Sequence, residues 1–279
     1  NYLEPGVMGH VALLFSSLAI ANVFFSYGLD VAFLRFFILE KQTRDQEKIF
    51  STAFFMILIT GSLFSLLIFL SPETISGIIF QTPDNTLLIK LAAGILIADA
   101  LALLPFLVLR AKEKSVSFGV LKLFNVVMNL SMNVLFIGVL DMGIQGVFLA
   151  NLTASSFTLL TVSPIIFRWL RPLFSKKKLA SLLGFGLPYI PSMLSVLIMD
   201  QISRFFLDRM IGSEATGIFS ASYKLGMFMA LVVTAFRFAW HPFFLSTAEQ
   251  NNAKDVFARV LTYFVLVTGF FYLVISFFI

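Results

Sequence analysis

Apolar runs of about twenty residues, divided by short polar stretches, set the pattern of this chain. A helix needs roughly 20 such residues to cross a bilayer core. Eight stretches meet that length: 7–29, 49–71, 87–109, 115–140, 144–167, 181–207, 215–239 and 259–279. The connections are brief and carry turn or helix-start residues, such as Ser71-Pro72, Thr82-Pro83-Asp84-Asn85 and Gly143-Ile144-Gln145-Gly146. None can hold a soluble domain. The pattern predicts an all-α, polytopic membrane helix bundle with about eight transmembrane helices.

Lysine and arginine fall on alternate connections. Fifteen lie on one set: Arg35, Lys41, Arg44 and Lys48; Arg110, Lys112 and Lys114; Arg168, Arg171 and Lys176–Lys178; Arg237, Lys254 and Arg259. The other set holds two, Lys90 and Arg209. Cytoplasmic connections of membrane proteins carry this excess, so the basic set is expected in the cytoplasm and both ends of the sequence outside. The most basic connection, Arg168–Lys178 (RWLRPLFSKKK), sets topology and is also compatible with contact to anionic lipid headgroups. It is expected to divide two lobes, 1–175 and 176–279.

A faint repeat crosses that boundary. Glu4-Pro5-Gly6-Val7-Met8-Gly9 enters a span that leaves at Leu34-Arg35-Phe36-Phe37, and Glu214-Ala215-Thr216-Gly217 enters one that leaves at Phe236-Arg237-Phe238. The glycines lie 208 residues apart and the arginines 202, with five spans between, which gives a period of six helices. Repeated halves are a common build for transporters. On this register the first span is the second helix of its lobe, and 176–279 supplies the first three helices of the next. The chain opens at Asn1 and stops in an apolar run at Ile279, so it reads as part of a longer protein, truncated at both ends.

Composition agrees with the span pattern. The 279 residues are 59% hydrophobic and 13% charged, with 35 Phe and a mean hydropathy of +0.95, where soluble domains carry about 25% charged residues. A net charge of +5 spread over short loops is a topology signal, and no nucleic-acid partner is expected. With no cysteine there is neither a disulfide framework nor thiolate chemistry.

Polar residues inside apolar spans are costly and mark function or pairing. Lys224 lies about nine residues into its span, roughly 14 Å along the helix axis. It either pairs with a carboxylate or faces a cavity for an anionic substrate. Asp200, Arg204 and Asp208 follow at i, i+4 and i+8 on one helix face and can pair in sequence; Asp200 is also a partner for Lys224. Asp99 sits mid-span as a charge partner or coupling site. Lys122, Asn125, Asn129 and Asn133 form a one-sided stripe, echoed by Asn151, Ser155 and Thr158 on the next span. Such a stripe is interhelical glue or the wall of a polar path. Asp30 and Arg35 lie near the cytoplasmic end of the first span, and Arg237 at the matching place in its repeat, followed by Trp240. Trp240 is an interface anchor or part of a gate with Arg237. Pro188 and Pro191 must bend their helix and are candidates for a hinge.

Catalytic signatures are missing. Two histidines, His10 and His241, are too few and too far apart for a metal cluster, and no phosphate-cradling or nucleophile-elbow motif occurs. No cofactor is expected.

From 184 to 244 the residues resemble a known family. Gly186-Leu187-Pro188-Tyr189-Ile190-Pro191-Ser192, Arg204-Phe205-Phe206-Leu207, Gly212, Gly217-Ile218-Phe219-Ser220, Ala221-Ser222-Tyr223-Lys224 and Phe236-Arg237 with Trp240-His241-Pro242 are similar to bacterial polysaccharide-biosynthesis transport proteins. These are the Wzx-like O-antigen and capsule flippases, in the superfamily that also holds MATE exporters. Glu4-Pro5, Gly9, Gly28-Leu29 and Leu34-Arg35-Phe36 resemble the same family's second helix. The resemblance implies a two-lobe, six-plus-six MATE-like fold in the bacterial cytoplasmic (inner) membrane. It also implies rocker-switch flipping of undecaprenyl-diphosphate-linked oligosaccharide, with membrane lipids and polysaccharide polymerase machinery as partners. The family often places an acid directly before the arginine at 204, where this chain has Ser203. On this reading Lys224, Arg204, Arg35 and Lys122 hold diphosphate or acidic sugar, and Asn125, Asn129 and Asn133 meet sugar hydroxyls. Other readings are a cation-coupled multidrug exporter, which a buried lysine disfavours, a membrane glycosyltransferase or polymerase acting on the same lipid, and a scaffold.

Overall fold

The computed structural model of the chain describes residues 4–247 and 253–278, with some side chains between 225 and 247 outside the described residues. Eleven helices follow in order: α1 Pro5–Ser26, α2 Leu29–Leu39, α3 Thr43–Leu70, α4 Pro72–Phe80, α5 Thr86–Ala111, α6 Ser115–Asn133, α7 Gly143–Trp169, α8 Lys176–Gly186, α9 Ile190–Met210, α10 Ser213–Thr247 and α11 Ala253–Phe278. A π-helical segment, Val134–Val139, extends α6, and a 3-10 turn, Leu187–Tyr189, joins α8 to α9. No strand occurs among the described residues.

Among the described residues, seven helical segments are long and apolar enough to cross a membrane: Pro5–Leu39, Thr43–Leu70, Thr86–Ala111, Ser115–Val139, Gly143–Trp169, Lys176–Met210 and Ala253–Val274. The eighth expected span, 215–239, lies within the 35-residue α10. Two boundaries differ from expectation. The first span does not end at residue 29, because Tyr27 and Gly28 take left-handed φ values of 54° and 66° and the chain resumes as α2. Asp30 and Arg35 therefore ride on a continuation of the same span. The residues after Ser71 form α4 instead of a plain turn, since Pro72 at its first position suits a helix start. Phe80 at its end is buried and meets His10 edge-on at 5.3 Å.

Two compact units divide the chain, Asn1–Gly217 and Ile218–Ile279. In the first, α5 is central and packs against α1, α2, α3, α4, α6 and α7. Most of its residues are buried, as a helix apolar on every side requires. In the second unit, Trp240 packs on Phe236 and on Phe257, which ties α10 to α11.

Three basic connections of the first unit converge at one end. Gln46 is buried and donates to the Phe37 and Glu40 carbonyls at 3.0 and 2.7 Å, closing the end of α2. Its Oε1 accepts from Lys112 Nζ at 2.8 Å. The Arg171 and Ser175 amides donate to Ser51 Oγ and Thr52 Oγ1 at 2.8 and 3.1 Å. Lys178 pairs with Glu40, and Arg171 with Glu47 at 3.4 Å. The alternation of charge along the sequence thus becomes a single basic end in space, the end expected in the cytoplasm.

Two backbone crossings fix how the first span meets later helices. A Cβ on Gly9 would lie 1.9 Å from the Ser213 carbonyl oxygen, and one on Gly217 would lie 1.9 Å from that of Pro5. Only glycine permits this approach of α1 to the start of α10. Farther along, a Cβ on Gly28 would stand 2.3 Å from the Gly186 oxygen, and one on Gly186 would stand 2.6 Å from the Tyr27 oxygen. The break between α1 and α2 therefore meets the break between α8 and α9. Where a bend was expected at Pro188 and Pro191, the chain passes through the 3-10 turn Leu187–Tyr189 with right-handed helical backbone, directly after Gly186 of this contact.

Candidate functional site: a polar cavity among membrane helices

The stripe on α6 faces α7. Asn125 Nδ2 donates to Thr158 Oγ1 at 2.7 Å, and Asn133 Nδ2 donates to the Asn129 side-chain oxygen at 2.9 Å and to its carbonyl at 2.8 Å. Asn125, Asn129, Asn151, Ser155 and Thr158 line a cavity of about 290 Å³ with Lys122, Asp99 from α5 and Asn22 from α1. Apolar contacts come from Leu103 and Phe106. Lys122 holds its Nζ 4.3 Å from the Phe106 ring centroid, a cation–π distance. Ser155 and Lys122 share the cavity lining with the Asp99 carboxylate.

A second cavity of about 450 Å³ adjoins the first and shares Leu103, Phe106 and Lys122 with it. Asp30, Arg110 and Ser115 complete its polar lining. Asp30 Oδ1 is buried and has no hydrogen-bond partner among the described residues. A buried carboxylate oxygen without a donor is costly, so this one is available to a hydroxyl or ammonium. Together the two cavities combine carboxylates, cations and amides within a span-forming bundle. That set suits a ligand with both charge and hydroxyls.

The expected site residues divide sharply. Asp99, Lys122, Asn125 and Asn129 come together in the first cavity, and Asp30 joins through the second. Asn133 lies outside the lining and bonds to Asn129. Arg35 stands over the Phe185 ring at 4.3 Å, at the packing of α2 on α8. Arg204 donates to the Asp200 carbonyl at 2.9 Å and to Gln201 Oε1 at 2.7 Å. The same Gln201 oxygen accepts from Ser16 Oγ at 2.7 Å, which ties α9 to α1. Lys224 is exposed and belongs to the second unit. The Arg237 side chain lies outside the described residues. Asn22 and Arg110 were not among the expected residues. Asn22 is a lone amide in an apolar run, and Arg110 reads in sequence as a loop charge. Among the described residues no group of three His, Asp or Glu is placed to hold a metal.

A helical, multi-pass membrane protein with a polar cavity inside its bundle is the class that this fold and site define. Two solved structures share the fold. One is described as "Inward-facing conformation of a multidrug resistance MATE family transporter of the MOP superfamily", 18% identical, with a TM-score of 0.62 over 82% of this chain and 55% of that one. The other, described as "protein A", is 20% identical, with a TM-score of 0.63 over 81% of this chain and 54% of that one. This chain thus spans about half the length of the structures it matches, and at these identities the likeness is one of fold. No curated protein matches it. A family model described as "Polysaccharide biosynthesis protein" matches residues 1–248, and the chain belongs to that family. The membership and the MATE-like helical fold expected from the sequence both stand.

Proposed function

We propose that the protein is a flippase that carries undecaprenyl-diphosphate-linked oligosaccharide across the bacterial cytoplasmic membrane by alternating access. The polar cavity on α5, α6 and α7 is the observation that supports this, since the family concerns polysaccharide and the lining offers amides and hydroxyls for sugars. Lys122 supplies a cation for diphosphate or acidic sugar through charge-assisted hydrogen bonds. Asp99 and Asp30 counter its charge when no substrate is bound. Arg35, Arg204 and Lys224 extend the cationic path in other conformations. The lobe boundary falls at 175/176, and the 3-10 turn that holds Pro188, with Pro191 just after it, serves as the hinge. The MATE fold also favours a second reading, cation-coupled export of drugs, but a lysine in the cavity repels cationic cargo.

The test is polysaccharide export by full-length protein carrying Lys122→Ala or Asn125→Ala, in cells without their own copy. Export should fall at least tenfold while membrane levels hold, and lipid-linked sugar should accumulate on the cytoplasmic side. Normal export by both variants would remove this cavity from transport. A rise in drug sensitivity with unchanged export would favour the second reading.

A further inference from the structure

The basic end of the first unit encloses another cavity, of about 540 Å³, between the start of α3 and the ends of α5 and α7. Lys112, Lys114, Arg168 and Arg171 line it, over the apolar residues Val108, Leu109 and Ile165. Glu47 is its one lining carboxylate, and Arg171 engages it at 3.4 Å. Lys112, Lys114 and Arg168 enter no ion pair among the described residues. Three cations drawn together without counter-charge repel one another, and an anion between them relieves that repulsion.

Lys112 is held in place. Its Nζ donates to Gln46 and stands 5.2 Å from the Trp169 ring centroid and 5.5 Å from that of Phe37. An ammonium has three protons. Gln46 takes one, which leaves two for a ligand without further ordering of the side chain. Apolar residues accompany the cations: Val108, Leu109 and Ile165 share the lining, and Val116 and Phe167, next in sequence to Ser115 and Arg168, are 81% and 74% exposed. A free anion would use only the charged rim. A phospholipid would use both parts, with its phosphate among the cations and its chains along the flank.

We propose that this cavity binds the headgroup of an anionic phospholipid from the cytoplasmic leaflet. Basic pockets between membrane helices on that side are suited to such headgroups. The inference rests on the spans and their orientation, and it does not need the transport reading.

The experiment uses purified full-length protein in a neutral detergent and titrates phosphatidylglycerol, phosphatidylcholine or inorganic phosphate, with bound lipid counted by native mass spectrometry. Wild type should prefer phosphatidylglycerol to phosphatidylcholine. K112Q/R168Q should weaken that binding about tenfold, whereas K176Q/K177Q, which alters exposed lysines outside the cavity, should stay within about twofold of wild type. Equal losses in both variants would assign the effect to diffuse surface charge and overturn the proposal. So would full competition by phosphate at equal concentration, which marks a free-anion site, or displacement by an isoprenyl diphosphate at far lower concentration, which marks a substrate site. Should K112Q/R168Q not fold, R168Q alone is expected to weaken binding about threefold, and no change there would equally sink the idea. Because binding is read without transport, its failure is separate from any failure of the flippase reading.

Discussion

The crossing of α1 with the start of α10 yields a prediction with an unusual signature. Ordinary contact for a Cβ begins near 3.4 Å, and at Gly9 and Gly217 it would be 1.9 Å from a backbone oxygen. Alanine at either place must push the helices apart by about 1.5 Å, because backbone has no rotamer to yield. Overpacking costs about 1–3 kcal/mol, and an unyielding neighbour puts each single variant near ~3 kcal/mol by the same principle. Pro5 and Ser213 are related by the same 208-residue offset as the two glycines. The two contacts are thus mirror roles of one interaction, as across a two-fold axis. One separation relieves both clashes, so Gly9→Ala with Gly217→Ala should cost little more than either alone, a strong departure from additivity. In thermal unfolding of full-length protein in one detergent, each single variant should lower Tm by roughly 6–12 °C. The double variant should fall only slightly further. A double shift equal to the sum of the singles would refute the shared crossing, and singles within about 2 °C of wild type would refute the clash itself.

Other consequences are simpler. Gly28→Ala places a side chain at φ 66° and 2.3 Å from the Gly186 oxygen, so Tm should drop by several degrees and export should fall with it; unchanged values in both assays would remove the paired break from the mechanism. Asn125→Leu removes the donor to Thr158 at 2.7 Å, at a cost of about 0.6–1.7 kcal/mol, so export should suffer far more than Tm. A large Tm loss with proportionate export loss would make Asn125 structural glue. Cysteines at 175 and 213 in the full-length protein should be labelled by impermeant reagents from opposite sides, and labelling from one side would overturn the span order. Phe36→Cys with Phe185→Cys, at positions whose rings lie 6.1 Å apart, should be bridged by a short bifunctional methanethiosulfonate reagent, blocking export until the link is reduced; normal export by cross-linked protein would show that α2 and α8 never part.

The spans and the Asn125–Thr158 facing of α6 and α7 were legible because periodicity and polarity are local properties of sequence. The α1–α2 break was harder to see. Its signal is a single Tyr27-Gly28 pair within an apolar run, and only the left-handed φ values and the Gly186 contact reveal it. Cavity lining was legible where polar residues repeat at helical spacing, as at Lys122, Asn125 and Asn129. For isolated charges it was not. Arg35 and Arg204 have long side chains, and their sequence neighbourhood does not say whether those chains reach a cavity or an adjacent ring and carbonyl. Arg110 is the reverse case, an exposed residue at the edge of a span that still lines the second cavity.

The contacts along α1–α2 and α8–α9 bear on how such a bundle can change shape. Two unbroken helices in contact throughout must separate as rods and lose every contact together. These two segments instead break at a shared level, with Gly28 against Gly186, so one half can part while the other stays packed. The halves carry different polar ties. At the basic end these are the Glu40–Lys178 pair, with side chains about 30% exposed, and Arg35 over Phe185, beside apolar packing of Phe36 on Phe185 and of buried Leu182 in the core. Each polar tie is worth about 1 kcal/mol or less, and water can replace much of it. At the opposite end, close backbone packing at Gly9 and the Ser16–Gln201–Arg204 chain hold α1, and water compensates poorly for packing of that kind. Under the alternating-access proposal, the paired break at Gly28 and Gly186 is the pivot, and linking positions 36 and 185 tests whether the α2–α8 half is the one that parts.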